Sequence, residues 1–189
     1  MAFDSRLNAD LELFEQIRFI PVGNDIILKP IIIELFEQEA KIFLLNTKTE
    51  EIKKYLPLIY VETIEQAKEK LYSSMQSMLF RGSLFYCIRF KEQQFPIGYI
   101  NLNTPIAPTG LHCWTVDFWL GETAQGNGIM TASLYYLLTY LKQFNIPEIK
   151  AVVHADNIKA LNVINKVGFA FSYQESEGEK RIIYSIRLK

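Results

Sequence analysis

The 189-residue chain carries 20 basic and 21 acidic side chains for a formal net charge of -1, and 49% of it is hydrophobic, 13% aromatic. That apolar content fills the core of one globular domain and excludes the disordered class. The charges form no long run of one sign, so the electrostatic footprint of a nucleic-acid binder is missing, and no apolar run approaches the roughly 18 residues of a membrane span.

The N-terminus places Asp4, Asp10 and Glu12 where a signal peptide needs a basic flank and an apolar run, so a cytoplasmic protein is expected. Cys87 and Cys113 lie in apolar, strand-like runs that suit reduced, buried thiols. With only His112 and His154 beside them, zinc-ligand spacing is absent and no metal is expected.

In chain order, "LELFEQIRF" reads as an amphipathic helix within an N-terminal helical extension over residues 1–21, and "DIILKPI" as a first strand. "IIELFEQEAKIFLLN" has apolar positions at three- and four-residue steps, a helix. After "KKYLPLIY", a second helix, "TIEQAKEKLYSSMQSML", opens at Thr63 with Gln66 three residues on, a capping box. "SLFYCIRF", the turn "KEQQ" and "FPIGYINLN" read as a hairpin. The loop "TPIAPTG" leads to the strand "LHCWTVDFWL", which runs into the polar knot "QGNG" at Gln125–Gly128 and the helix "MTASLYYLLTYLKQF". "EIKAVVH" is a strand and "NIKALNVINKV" a helix stopped by Gly168. The strands "FAFSYQ" and "RIIYSIRLK" close the chain around the turn "ESEGE". Strands and helices alternate, which predicts a single α/β domain over 1–189, a mixed sheet flanked by helices.

The knot is the chemically informative stretch. A strand ending at Leu120 and a helix starting near Gly128 bring unpaired backbone N–H groups and the positive end of a helix dipole to one point, the physical basis of a phosphate site. Gly126 and Gly128 let a ligand approach the backbone, and Asn127 tolerates unusual backbone angles. A plain strand-to-helix turn accounts equally well for the loop taken alone. It lacks the Gly-Lys-Ser/Thr ending of a P-loop and the third glycine of a dinucleotide fingerprint.

The run "DFWLGETAQGNGIMTAS" resembles motif A of the GNAT acyl-CoA N-acetyltransferases, Gln/Arg-x-x-Gly-x-Gly/Ala after a strand, here Gln125, Gly126, Asn127, Gly128, Ile129 and Met130, with Met130 in place of the usual final small residue. "HADNIKALNVINKVGF" is similar to the family's second segment, with Asn157, Lys166, Gly168 and Phe169 in register. "IILKP", "YLP" and "IGYI" fit the RimJ/RimL-like branch, the ribosomal-protein N-terminal acetyltransferases and their cousins, and the resemblance covers roughly residues 22 to 189.

The resemblance implies a mostly antiparallel sheet of about seven strands with one splayed parallel pair. It implies acetyl-CoA as cosubstrate, its pantetheine pairing with the backbone of Phe118, Trp119 and Leu120. Its pyrophosphate would lie on the amides from Gln125 to Thr131, with Asn157 as a further ligand or as a helix cap. The family's usual hydroxyls near sulfur, a Ser three residues after the Asn or a Tyr seven after it, are replaced by Ala160 and Ile164. Amine acetylation requires a proton acceptor. Asp117, two residues along the strand face from Thr115, is the first candidate and His154 the second; Glu122 and Glu179 could act through water. The acceptor is a primary amine, on a peptide N-terminus or a small molecule, and the protein a monomer or homodimer. A non-catalytic CoA-binding module is the alternative, which the missing hydroxyls suit. Residues 35–79 and the loop 104–110 are expected to wall the acceptor groove, with Tyr60, Phe80, Phe85 and Trp114 either lining it or in the core.

Overall fold

A computed structural model describes residues 19–105, 113–144, 146–174 and 180–188. The helix expected over Leu11–Phe19, most of the 104–110 loop, His112, the turn 175–179 and with it Glu179 lie outside the described residues, Phe19 and the loop's first two residues excepted.

One eight-stranded sheet organises the molecule. In chain order the elements are β1 (Ile20–Val22), β2 (Ile26–Lys29), a 3-10 turn (Ile33–Leu35), α1 (Phe36–Thr47), α2 (Glu50–Tyr55), α3 (Ile64–Leu79), β3 (Ser83–Phe90), β4 (Gly98–Asn103), β5 (Trp114–Leu120), a second 3-10 turn (Glu122–Ala124), α4 (Ile129–Leu141), β6 (Glu148–His154), α5 (Ile158–Val167), β7 (Ala170–Gln174) and β8 (Arg181–Arg187). The sheet order is β1-β2-β3-β4-β5-β6-β8-β7. Only β5 and β6 pair in parallel among these strands.

The expected mixed sheet with one parallel pair is therefore present, with one strand more than the seven anticipated. The extra strand is β1, so Ile20 and Pro21 belong to the sheet rather than to a helical extension. Pro21 is exposed on this edge strand, where a missing N–H costs no ladder bond.

Alternation along the central strands divides the interior into two layers. Leu84, Tyr86, Ile88, Ile100, Leu102, Trp114 and Val116 face one way, against Leu134, Leu137, Leu138 and Leu141 of α4 and Ile164 of α5. Phe85, Cys87, Tyr99 and Trp119 face the other, against Phe43 of α1 and Ala67 and Leu71 of α3. Within that second layer Tyr99 stacks on Trp119 at 5.1 Å, and Phe43 meets Tyr99 edge-on at 5.2 Å. Offset and edge-to-face pairs of this kind add about 0.5–1.5 kcal/mol each beyond their buried area. Phe85 and Trp114, which the sequence left between groove and core, are core.

The helix signals hold. Thr63 and Gln66 make the full capping box of α3. α5 ends at Gly168, φ +101°, whose N–H donates to Ile164 O while the Phe169 N–H donates to the same carbonyl. None of the helices among the described residues is long and apolar enough to cross a membrane.

Candidate active site

β5 and β6 pair only through Trp114 with Ile149 and Thr115 with Lys150. Beyond that point residues 116–120 stay on β4 and residues 151–154 on β8, so the two strands diverge and leave the facing edges of Phe118, Trp119 and Leu120 without a partner strand. Buried backbone groups are almost always paired. An open wedge within a sheet is thus a standing vacancy for hydrogen-bonding groups from elsewhere.

The wedge opens toward the glycine loop. Gly128 is the N-cap of α4, at φ +72°, and no side chain caps the helix. The first-turn amides of Ile129, Met130 and Thr131 therefore keep the orphan donors of a helix start, at its positive end. Gly126 has φ +82°, and a Cβ at either glycine would meet nothing within 4 Å. The glycines are required by backbone conformation, and open space lies in front of them. Gln125 ties the loop to the end of β5 through Nε2 donating to Leu120 O at 3.1 Å, and Asn127 Nδ2 donates to Gln125 O at 3.3 Å.

A cleft of about 140 Å³ joins the two features, lined by Phe118, Trp119, Leu120, Gln125, Met130 and Asn157 together with residues of α2. Gly126, Asn127, Gly128, Ile129 and Thr131 do not line it; they belong to the loop and helix start beside it. Asn157 is the N-cap of α5, its Oδ1 accepting from Ala160 N at 3.1 Å. Among the described residues its Nδ2 has no partner, and Asn157 faces both this cleft and the narrower one behind it. The two roles foreseen for Asn157 are thus compatible in one side chain. Ala160 also faces both clefts, whereas Ile164 is core and fully buried.

The narrower cleft lies in the wedge itself. It brings Asp117 and His154 together with Tyr55, Phe118 and Val152. Asp117 is half-buried, and its Oδ2 accepts from Asn103 Nδ2 at 2.9 Å. Burial raises its carboxyl above the ordinary carboxylate value, and the bond from Asn103, with the Asn101 amide close behind it, pulls it partly back. The buried Thr115 accepts from the same Asn103 nitrogen at 3.2 Å. His154 Nδ1 accepts from Asp156 N at 3.2 Å, and its ring lies 5.3 Å from that of Tyr55. Glu122 lines the larger cleft.

Sequence reading missed α2, which roofs both clefts. Tyr55 donates from its hydroxyl to Asp156 O at 3.2 Å, and Glu51 pairs at 2.9 Å with Lys159, whose ammonium also donates to Gln125 Oε1 at 2.8 Å. The helix α2, the glycine loop and the start of α5 are thereby joined across the cleft mouth. Asn101 and Asn103 were missed as well, because their meaning depends on which strand lies beside them.

A splayed parallel pair, a glycine-led helix start with no side-chain cap and a cleft joining them thus lie together at the end of β5. The profile of the acetyltransferase (GNAT) domain family matches residues 27–170, so the chain belongs to the GNAT family of acetyl-CoA-dependent acetyltransferases. Among solved structures it is similar to RimL, a ribosomal L7/L12 alpha-N-protein acetyltransferase in complex with coenzyme A, at 19% identity, with 90% of this chain and 98% of that one covered and a TM-score of 0.75. The microcin C7 self-immunity acetyltransferase MccE, in complex with acetyl-CoA and AMP, matches at 20% identity over 88% of this chain and 94% of its own, with a TM-score of 0.71. RimJ of Mycobacterium smegmatis, in complex with CoA-disulfide, matches at 18% identity over 90% and 84%, with a TM-score of 0.68. No curated protein matches significantly by sequence.

Proposed function

We propose that this protein acetylates a primary amine, a peptide N-terminus or the amine of a small molecule, with acetyl-CoA as donor and Asp117 as proton acceptor. The observation that carries the reading is the divergence of β5 from β6 after Thr115 and Lys150, opening on the uncapped start of α4. The residues present fit the donor. Pantetheine amides match the free edge of Phe118 to Leu120, the pyrophosphate matches the amides from Gln125 to Thr131, and Asn157 Nδ2 is a spare donor beside them.

Asp117 faces the wedge where the thioester end of such a ligand would lie. An acceptor arriving as an ammonium has two protons to shed. One passes to the Asp117 carboxylate before attack. The second leaves as the C–N bond forms and the C–S bond breaks, and it meets the departing thiolate, so the products are amide and free thiol. His154 shares the cleft and is the second candidate for the first of these protons. RimL is a ribosomal L7/L12 alpha-N-protein acetyltransferase and MccE a microcin C7 self-immunity acetyltransferase, and the shared fold leaves the acceptor open for this chain.

Acetyl-CoA should raise the melting temperature by mass action on the folded state. Gly126→Val and Gly128→Val each place a branched side chain at positive φ and should abolish that shift while the circular dichroism spectrum is kept. Retained binding in both variants would reduce the loop to a turn. Release of free thiol from acetyl-CoA with a panel of peptides and small amines identifies the acceptor. Binding without release across the whole panel would leave a CoA-binding module instead.

A further inference from the structure

β4 runs through the middle of the sheet, yet on the face it shares with Tyr99 it carries two carboxamides, Asn101 and Asn103. Asn101 stands directly across from Asp117, and Asn103 from Thr115. Their hydrogen bonds run in one direction. Asn101 Nδ2 donates to Asn103 Oδ1 at 2.9 Å, and Asn103 Nδ2 donates to Asp117 Oδ2 at 2.9 Å and to Thr115 Oγ1 at 3.2 Å.

A carboxylate can only accept, so it fixes which end of the Asn103 amide faces it. That leaves the Asn103 oxygen toward Asn101, which must therefore donate. Turning either amide would set oxygen against oxygen. The arrangement has a cost: among the described residues Asn101 Oδ1 is buried without a hydrogen-bond partner. An orphaned buried acceptor is destabilising, and an apolar side chain in that place would not carry one. Packing gives no reason for this choice, since Phe85 on β3 and Tyr99 beside it on β4 are aromatic.

We infer that Asn101 and Asn103 are positioning residues, a one-way ladder of donors that aims the Asp117 carboxylate into the wedge and keeps it ionised for the acceptor's proton. The inference rests on Asp117 as the proton acceptor. Each amide in such a chain polarises the next, so the bond reaching the carboxylate is stronger than an isolated one. Without the ladder the half-buried carboxylate holds its proton more tightly and is free to rotate away. Asn101 thus has its orphaned oxygen because its nitrogen is needed, a local sacrifice of stability at a functional site.

The titratable groups that share the narrow cleft with Asp117 are Tyr55 of α2 and His154 of β6; β4 contributes only amides and β5 only Thr115. Neither Tyr55 nor His154 is touched by changes on β4. This makes the ladder separable from them.

The test compares wild type with Asn101→Leu, Asn103→Leu, Asn103→Ser and Asp117→Asn. The carboxyl of Asp117 is followed by its carbon-13 shift across the acid range, a measurement that needs no acceptor. Turnover is followed by thiol release, with a serine-initiated peptide bearing a free N-terminus and with propylamine as probes. Asn101→Leu removes one orphaned acceptor but leaves Asn103 Oδ1 without its donor, so the melting temperature should change little, while the Asp117 titration moves to higher pH and turnover falls below that pH. Asn103→Leu should move the titration further and cost on the order of 10²-fold in turnover, the scale of a misplaced catalytic group. Asn103→Ser, which keeps a donor, should restore part of both. Asn103→Leu failing to fold would leave Asn101→Leu and the Asn103→Ser titration to decide. An unmoved titration in the folded variants overturns the ladder even where Asp117→Asn is inactive. Full turnover in Asp117→Asn overturns the proton-acceptor reading itself, whatever the ladder does to the titration.

Discussion

Asn157 shows how one side chain can be legible in sequence for two reasons at once. An Asn before a helical run is a cap on any reading, and its oxygen is so used, on Ala160 N. The amide nitrogen is left facing the cleft. Asn157→Asp keeps the capping oxygen and removes the donor, so the unfolding free energy without ligand should stay within about 1 kcal/mol of wild type while acetyl-CoA affinity falls, by isothermal titration. Lost stability with unchanged acetyl-CoA affinity would return Asn157 to capping alone. Asp117 was legible by alternation along β5, whereas Asn101 and Asn103 were not. In "FPIGYINLN" they read as ordinary polar positions of a half-exposed strand, and only the β4–β5 register turns them into a ladder that ends on a carboxylate. Phe85 and Trp114 were ambiguous for the same reason, since an aromatic on a strand faces core or groove according to what covers it.

At the scale of elements, strong local rules carried over and weak ones did not. The Thr63 capping box, the Gly168 stop and the glycine loop each follow from backbone requirements within a few residues. α2 has an N-cap at Thr49 but is too short to show a periodic apolar face. Six residues cannot sustain a helix in isolation. It is held by Thr49, which accepts from Ile52 N at 3.2 Å, by the buried Ile52, and by the bonds of Tyr55 and Glu51 to the region of α5. α2 is therefore the part of the cleft wall most dependent on tertiary contacts. Tyr55→Ala should raise amide hydrogen exchange within residues 50–55 while exchange in β3 and β4 is unchanged, because local opening draws on local contacts. Uniform acceleration across the sheet would instead make Tyr55 part of the global fold. The exposed Lys159 pairing with Glu51 is worth at most about 1 kcal/mol, so Lys159→Met should leave the melting temperature nearly unchanged.

For the whole molecule, the strand order and the wedge were visible only through the family resemblance, since nothing local says which strands will be neighbours. What the fold then does to its charges is a matter of burial. Glu39 of α1 and Arg89 of β3 form a fully buried pair at 2.6 Å, and the Ile32 N–H also donates to Glu39. Burial raises the Glu39 carboxyl despite Arg89 beside it, and burial likewise raises Asp117. A carboxyl raised in the folded state favours folding fully below its ordinary pKa, and that contribution is lost as pH rises through the raised value. Asp117 and Glu39 therefore both withdraw stability as pH climbs out of the ordinary carboxylate range. Asp156 is lowered, chiefly by the hydrogen bond from Lys180, and acts with the opposite sign, but it and Glu39 are common to wild type and Asp117→Asn and cancel between them. The difference in melting temperature between these two proteins isolates Asp117. Asp117→Asn should gain on wild type as pH rises from about 4 toward neutrality, be at least as stable at neutral pH, and lose turnover by on the order of 10²–10⁴. Higher stability with lower activity is the signature of a charge kept for chemistry at the expense of the fold. A variant less stable than wild type at neutral pH would make Asp117 a structural anchor for β4 and β5, and the proton acceptor would then be sought at His154.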